Sequence, residues 1–91
     1  MPEVTQTPDT LKADTTLDAK GLNCPLPVLK TKVALNRMAP GQMLKVEATD
    51  PHARIDFEAY CARNGHTLLR IDEIDDVLCF YIRCAERAVS D

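Results

Sequence analysis

"TTLDAKGLNCPLPVLKTKVALNRM", Thr15 to Met38, passes from one periodicity to another around a single glycine. In its first part Leu17 and Ala19 alternate with Asp18 and Lys20, which predicts a half-buried strand ended by Gly21. From Leu26 to Met38, Val28, Thr31, Ala34, Leu35 and Met38 recur at helical spacing, with Lys30, Lys32, Asn36 and Arg37 outside that stripe. This predicts an amphipathic helix, stopped where Pro40 cannot continue it and Gly41 permits a turn. Leu29 and Val33 fall off the stripe, either filling the margin of the core or forming an apolar spot where a partner docks.

Downstream, "MLKVEAT" alternates Leu44, Val46 and Ala48 against Lys45, Glu47 and Thr49, a second strand. Asp50 and Pro51 are expected as N-cap and first-turn proline of a helix from about Pro51 to Asn64. Its inner stripe holds Ala53, Phe57, Tyr60 and Cys61, and Gly65 closes it. "TLLRIDEI" and "VLCFYIRC" then read as a hairpin with Asp75 and Asp76 at the tip. The second of these runs is apolar on both faces, which suits the inside of a sheet.

The order β-α-β-α-β-β predicts an α/β fold of the α+β type. Two right-handed crossovers place both helices on one face of a four-stranded mixed sheet, a two-layer sandwich. Residues 1–14 are polar and aperiodic and are expected as a flexible tail, with one domain over 15–85 and a short tail over 86–91.

A chain of 91 residues folds around one core. Its net charge of −3 gives no general basic field, which argues against direct nucleic-acid binding through phosphate neutralisation. The N-terminal stretch has no apolar run long enough for a signal peptide or membrane span, so a cytoplasmic protein without membrane contact is expected. The four cysteines include no C-x-x-C pair, so no metal site or dithiol centre is predicted. Cys61 shares the core stripe of the second helix, and a disulfide between Cys79 and Cys84, set on opposite faces of a strand, is not expected. His66 after Gly65 reads as a polar residue ending a helix, and Arg54 lies one turn beyond Asp50.

Cys24 is the candidate for chemistry. As N-cap it would put Pro25 at the first helical position and Pro27 at the third, where missing N–H groups cost little and fixed φ angles stiffen the turn. Pro25 and Pro27 are then expected to shape reactivity, with no more than about 1 kcal/mol of effect on stability when both become Ala. The amides of Leu26 and Val28 are expected to face the sulfur. The positive end of the helix, aided by Lys30, Lys32 and Arg37, should lower the thiol pKa, whereas Asp50 nearby would raise it and Arg54 could neutralise Asp50. Only His52 or His66 could complete a Cys-His pair. On spacing alone, C-P-x-P serves equally well to start a helix beside an inert cysteine.

"LDAKGLNCPLPVLKTKVAL" resembles the signature of the TusA/SirA-like small sulfur carriers, a Cys-Pro-x-Pro opening the first helix after a strand and a glycine. "TDPHARIDFEAYCARNGHTL" is similar to the family's second block, with its Asp-Pro helix start, a later Asp before an apolar residue and a closing Gly-His. The resemblance covers about Leu17 to Arg83. It implies a βαβαββ fold, a covalent persulfide on Cys24 in place of any cofactor, and sulfurtransferase activity. It further implies a cysteine desulfurase or other persulfide donor and a downstream acceptor thiol, toward tRNA 2-thiouridine, molybdenum cofactor or sulfur oxidation. Cys79 and Cys84 are not expected from the family pattern. The same fold resembles an RNA-binding domain of a bacterial initiation factor, so a nucleic-acid-binding or regulatory module is the alternative.

Overall fold

The structure, a computed structural model, describes residues 13–85. The expected tails, 1–14 except for its last two residues and 86–91, lie outside the described residues.

Six elements follow the expected order: β1 (Thr15–Ala19), α1 (Leu26–Asn36), β2 (Met43–Ala48), α2 (Ala53–Asn64), β3 (Thr67–Ile74) and β4 (Val77–Arg83). The sheet runs β1-β2-β4-β3, with β1 parallel to β2 and β4 antiparallel to both of its neighbours. The strand that is apolar on both sides is therefore an inner one, where its backbone groups pair in both directions. Asp75 and Asp76, at φ 50° and 68°, make the tight turn into it.

Alternation in β2 turns Leu44, Val46 and Ala48 into the core, and β4 adds Leu78, Phe80 and Ile82 from the same face. Thr31 and Leu35 of α1, with Ala53, Phe57 and Cys61 of α2, cover them. Phe57 meets Phe80 with ring centroids 4.3 Å apart. An irregularity between Leu68 and Arg70 uses up one residue, so that Leu68 and Ile71 both reach this core opposite Ile82 and Phe80.

The open face of the sheet carries paired charges. Lys20 binds Glu47 at 2.9 Å, Lys45 approaches Glu47 at 3.6 Å and stands over the Tyr81 ring, and Arg70 binds Asp72 at 2.6 Å. Cys79 lies opposite Glu47 and Asp72 in the pairing and is buried. Cys84 joins the helix-side core, its Sγ 3.6 Å from the Leu35 carbonyl, so the two thiols stand on opposite sides of the sheet. No helix among the described residues is long and apolar enough to cross a membrane.

Two helix boundaries differ from expectation. α1 ends at Asn36, because the N–H groups of Arg37 and Met38 bond the carbonyls of Ala34 and Leu35 at 3.1 Å and tighten the last turn. α2 begins at Ala53, because the Ala53 N–H closes a turn on the Asp50 carbonyl at 2.9 Å that absorbs Pro51 and His52.

Pro27 is fully buried and its carbonyl accepts the Thr31 hydroxyl at 2.8 Å, so it is a core residue as much as a shaper of the turn. Its burial raises the expected cost of replacing it above the about 1 kcal/mol read from the sequence. Pro27→Ala should lower stability in urea titration by about 1.5–2 kcal/mol, from lost ring burial and a freer unfolded chain. Val33→Ala, at a side chain left 51% exposed, should stay within about 0.5 kcal/mol.

Candidate functional site

Two loops build the site, one following each parallel strand. Gly21, at φ 82°, turns the chain out of β1 and gives its N–H to Thr49 Oγ1 at 2.9 Å, just past β2. Three residues on, the Cys24 N–H donates to Asp50 Oδ2. The other oxygen of that carboxylate accepts the His52 N–H at 3.0 Å. Asp50 thus joins the loop that holds the cysteine to the turn that starts α2.

Cys24 is not the N-cap. Pro25 takes that place, since its carbonyl receives the first helical bond, from Leu29 at 3.1 Å. The Cys24–Pro25 peptide bond is cis. The Leu26 N–H, expected to face the sulfur, closes a turn on the Asn23 carbonyl at 2.8 Å and is spent there. The Leu26 side chain is exposed, whereas Pro25 and Val28 line an open groove between α1 and α2. Asp56, Ala59 and Tyr60 form its opposite wall. Asp50 is likewise not the N-cap of α2, a position held by His52.

Of the four cysteines, Cys24 is exposed while Cys61, Cys79 and Cys84 are buried. Burial pushes the Cys61 thiol up to about 11 and raises Cys79 and Cys84 as well, which withholds their thiolates.

The expected lowering of the Cys24 pKa is reversed. The Asp56 carboxylate foremost, then desolvation and the negative charge of Asp50, push the Cys24 thiol up from its ordinary value. Asp50 itself is held below the usual carboxylate range by the N–H groups of His52 and Cys24.

The other expected electrostatic neighbours face elsewhere. Lys30 lies beside Leu17, Leu29 and Val33, where it helps lower the Asp18 carboxyl after the larger effects of Lys20. Arg54 reaches Glu73 at 4.0 Å. His66 Nδ1 accepts the Ala85 N–H at 2.9 Å. Asp56 was legible only as an acidic residue in a helix's first turn and as part of the second family-like block. Only the packing of α2 beside α1 reveals that it shares a groove with Pro25, next to the cysteine.

These features define a class: a small two-layer α+β protein that presents one accessible thiol at the shared end of two parallel strands. The family profile described as "Sulfurtransferase TusA" matches residues 15–84. The putative sulfur carrier protein YrkI of Bacillus subtilis is 45% identical over 73 residues, covering 80% of this chain and 97% of the relative. The sulfur carrier protein TusA of Allochromatium vinosum is 46% identical over 70 residues, covering 77% and 92%. The crystal structure of a SirA-like protein from Desulfitobacterium hafniense superposes with a TM-score of 0.71 at 27% identity, covering 79% of this chain and 99% of that one. The chain belongs to the sulfurtransferase TusA family of sulfur carrier proteins.

Iodoacetamide should add a single adduct to the native protein, at Cys24, and label all four cysteines after unfolding. Alkylation consumes thiolate, which exists above the thiol pKa, so its rate should rise through a midpoint above the ordinary value of about 8.5. Asp50→Asn, which removes one of the negative charges, should move that midpoint down, and Lys30→Gln should leave it in place.

Proposed function

We propose that the protein carries sulfur as a persulfide on Cys24, a single-cysteine sulfurtransferase of the cytoplasm with no other cofactor. The observation that carries this reading is the accessibility of Cys24, exposed on the loop before α1 while every other cysteine is buried, in a chain of the sulfur carrier family. Cys24 attacks the terminal sulfur of a persulfide, supplied by a cysteine desulfurase or another persulfide donor. The thiol of a downstream acceptor protein then removes it by the same exchange.

An exposed site suits this task, because a donor and an acceptor must reach the same sulfur in turn. Pro25 lines the groove next to the cysteine, and the start of α1 offers partial positive charge to a persulfide anion. On the open sheet face, Lys20, Lys45 and Arg70 are each matched by a carboxylate, which speaks against a basic surface for nucleic acid.

Incubation with a cysteine desulfurase and cysteine, followed by peptide mass analysis with a persulfide-selective label, should add one sulfur atom to the peptide containing Cys24. Cys24→Ser should remove that gain. Equal loading of the variant would overturn the assignment of Cys24.

A further inference from the structure

In a chain whose net charge is −3, α1 carries Lys30, Lys32 and, at its C-cap, Arg37, with no acidic residue between Leu26 and Asn36. Lys32 borders the groove toward α2. Lys30 and Arg37 border a second groove, of about 380 Å³, between α1 and β1. At a helical rise of about 1.5 Å per residue they stand about 10 Å apart along the axis. Leu17, Leu29, Val33 and Ala34 line the space between them, and Leu29 and Val33 are half-exposed. Neither cation enters an ion pair among the described residues. The strand beside this groove is an edge. β1 pairs with β2 alone, in unbroken register from Thr15 opposite Leu44 to Ala19 opposite Ala48, so one row of its backbone groups has no strand beside it. The opposite edge, β3, is interrupted between Leu68 and Arg70, an irregularity that blunts strand addition.

We infer that β1 and the adjoining face of α1 form a docking surface for an extended acidic segment of a partner protein, which adds to β1 as a further strand. A strand laid along β1 lies about 4.8 Å from it and turns every second side chain toward the helix layer, into the groove beside Leu17. Side chains two positions apart on a strand repeat at about 6.7 Å, so an acidic, an apolar and a second acidic residue on that face span about 13 Å. That length brings them to Lys30, Val33 and Arg37 in turn. On the opposite face carboxylates are disfavoured, because Asp18 is exposed there and Lys20 and Lys45 are already held by Glu47. Backbone pairing supplies the affinity, and the groove reads the alternate side chains. β1 leads into the loop that carries Cys24, so the added segment holds its protein at the end of the sheet where the thiol is exposed. Docking of this kind involves no sulfur chemistry and stands or falls apart from the carrier function.

The probe is a short blocked peptide in which threonine alternates with glutamate, valine and glutamate. It would be titrated into the isotope-labelled full-length protein and followed by amide chemical shifts. The shifts should centre on Thr15 to Ala19 and on Leu29, Lys30, Val33 and Arg37, with a dissociation constant of about 1 mM or tighter. A peptide with lysine in place of glutamate, or with its backbone amides methylated, should bind at least about tenfold more weakly. The double variant Lys30→Glu/Arg37→Glu, checked for folding by circular dichroism, should lose as much with the original peptide, whereas Cys24→Ser should bind like wild type. No shifts, shifts centred on β3 or the open sheet face, or binding that survives the charge reversal would overturn the proposal. Hydrogen exchange in the free protein tests the other occupants of this edge: the β1 amides that do not pair with β2 should exchange fast at every concentration. Protection that grows with concentration would assign the edge to a second copy, and protection at every dilution to the chain's own residues before β1. Either result would overturn the assignment to a partner.

Discussion

Because β1 and β2 run parallel, the chain must leave both strands at the same end of the sheet, and the loops that carry Cys24 and Asp50 gather there. Each strand feeds a helix through a short loop, so two helix starts come side by side without any long-range element to bring them together. The Gly21–Thr49 and Cys24–Asp50 hydrogen bonds then lock one loop to the other. The second of these is a bond to a charged carboxylate, the stronger kind, and it fixes the two loops to each other. The thiol is held on this joint and not on either helix alone.

That placement sets two electrostatic influences against each other. The start of α1 favours an anion at sulfur, whereas Asp56 and Asp50 from the α2 side disfavour it. The carboxylates prevail in the resting thiol, Asp56 foremost, while the Leu26 N–H is turned back to Asn23. A cysteine kept protonated at neutral pH is protected from chance alkylation and oxidation, both of which proceed through the thiolate. The three buried thiols are silenced in another way, by exclusion from water, so the two departures from the family pattern, Cys79 and Cys84, leave the exposed chemistry to one residue.

The order of elements, the inner position of β4 and the separation of Cys79 from Cys84 were legible because each follows from a period of two or 3.6 residues. The adjacency of Asp50 and Cys24 was legible as a possibility, since parallel strands carry their following loops to one edge. Other assignments failed at single residues. Cys24 and Asp50 were expected as N-caps on the strength of the prolines after them, yet in both loops a turn comes first and moves the cap one or two positions on. Pro27 was expected to act only through its backbone, whereas its ring fills core space.

What the sequence by itself determined was the topology, the identity of the one cysteine placed at a strand-to-helix junction, and the family to which the chain belongs. Local patterns settle these, because strand and helix periods, turn residues and a motif of contiguous residues are properties of neighbours along the chain. The tertiary structure alone decided which charges meet the thiol. Lys30, six residues from Cys24, faces the Asp18 side, whereas Asp56, thirty-two residues away, is the foremost charge raising the thiol. Which side of a helix faces a neighbouring helix depends on how both pack on the sheet, and the sign of the field at Cys24 follows from that packing.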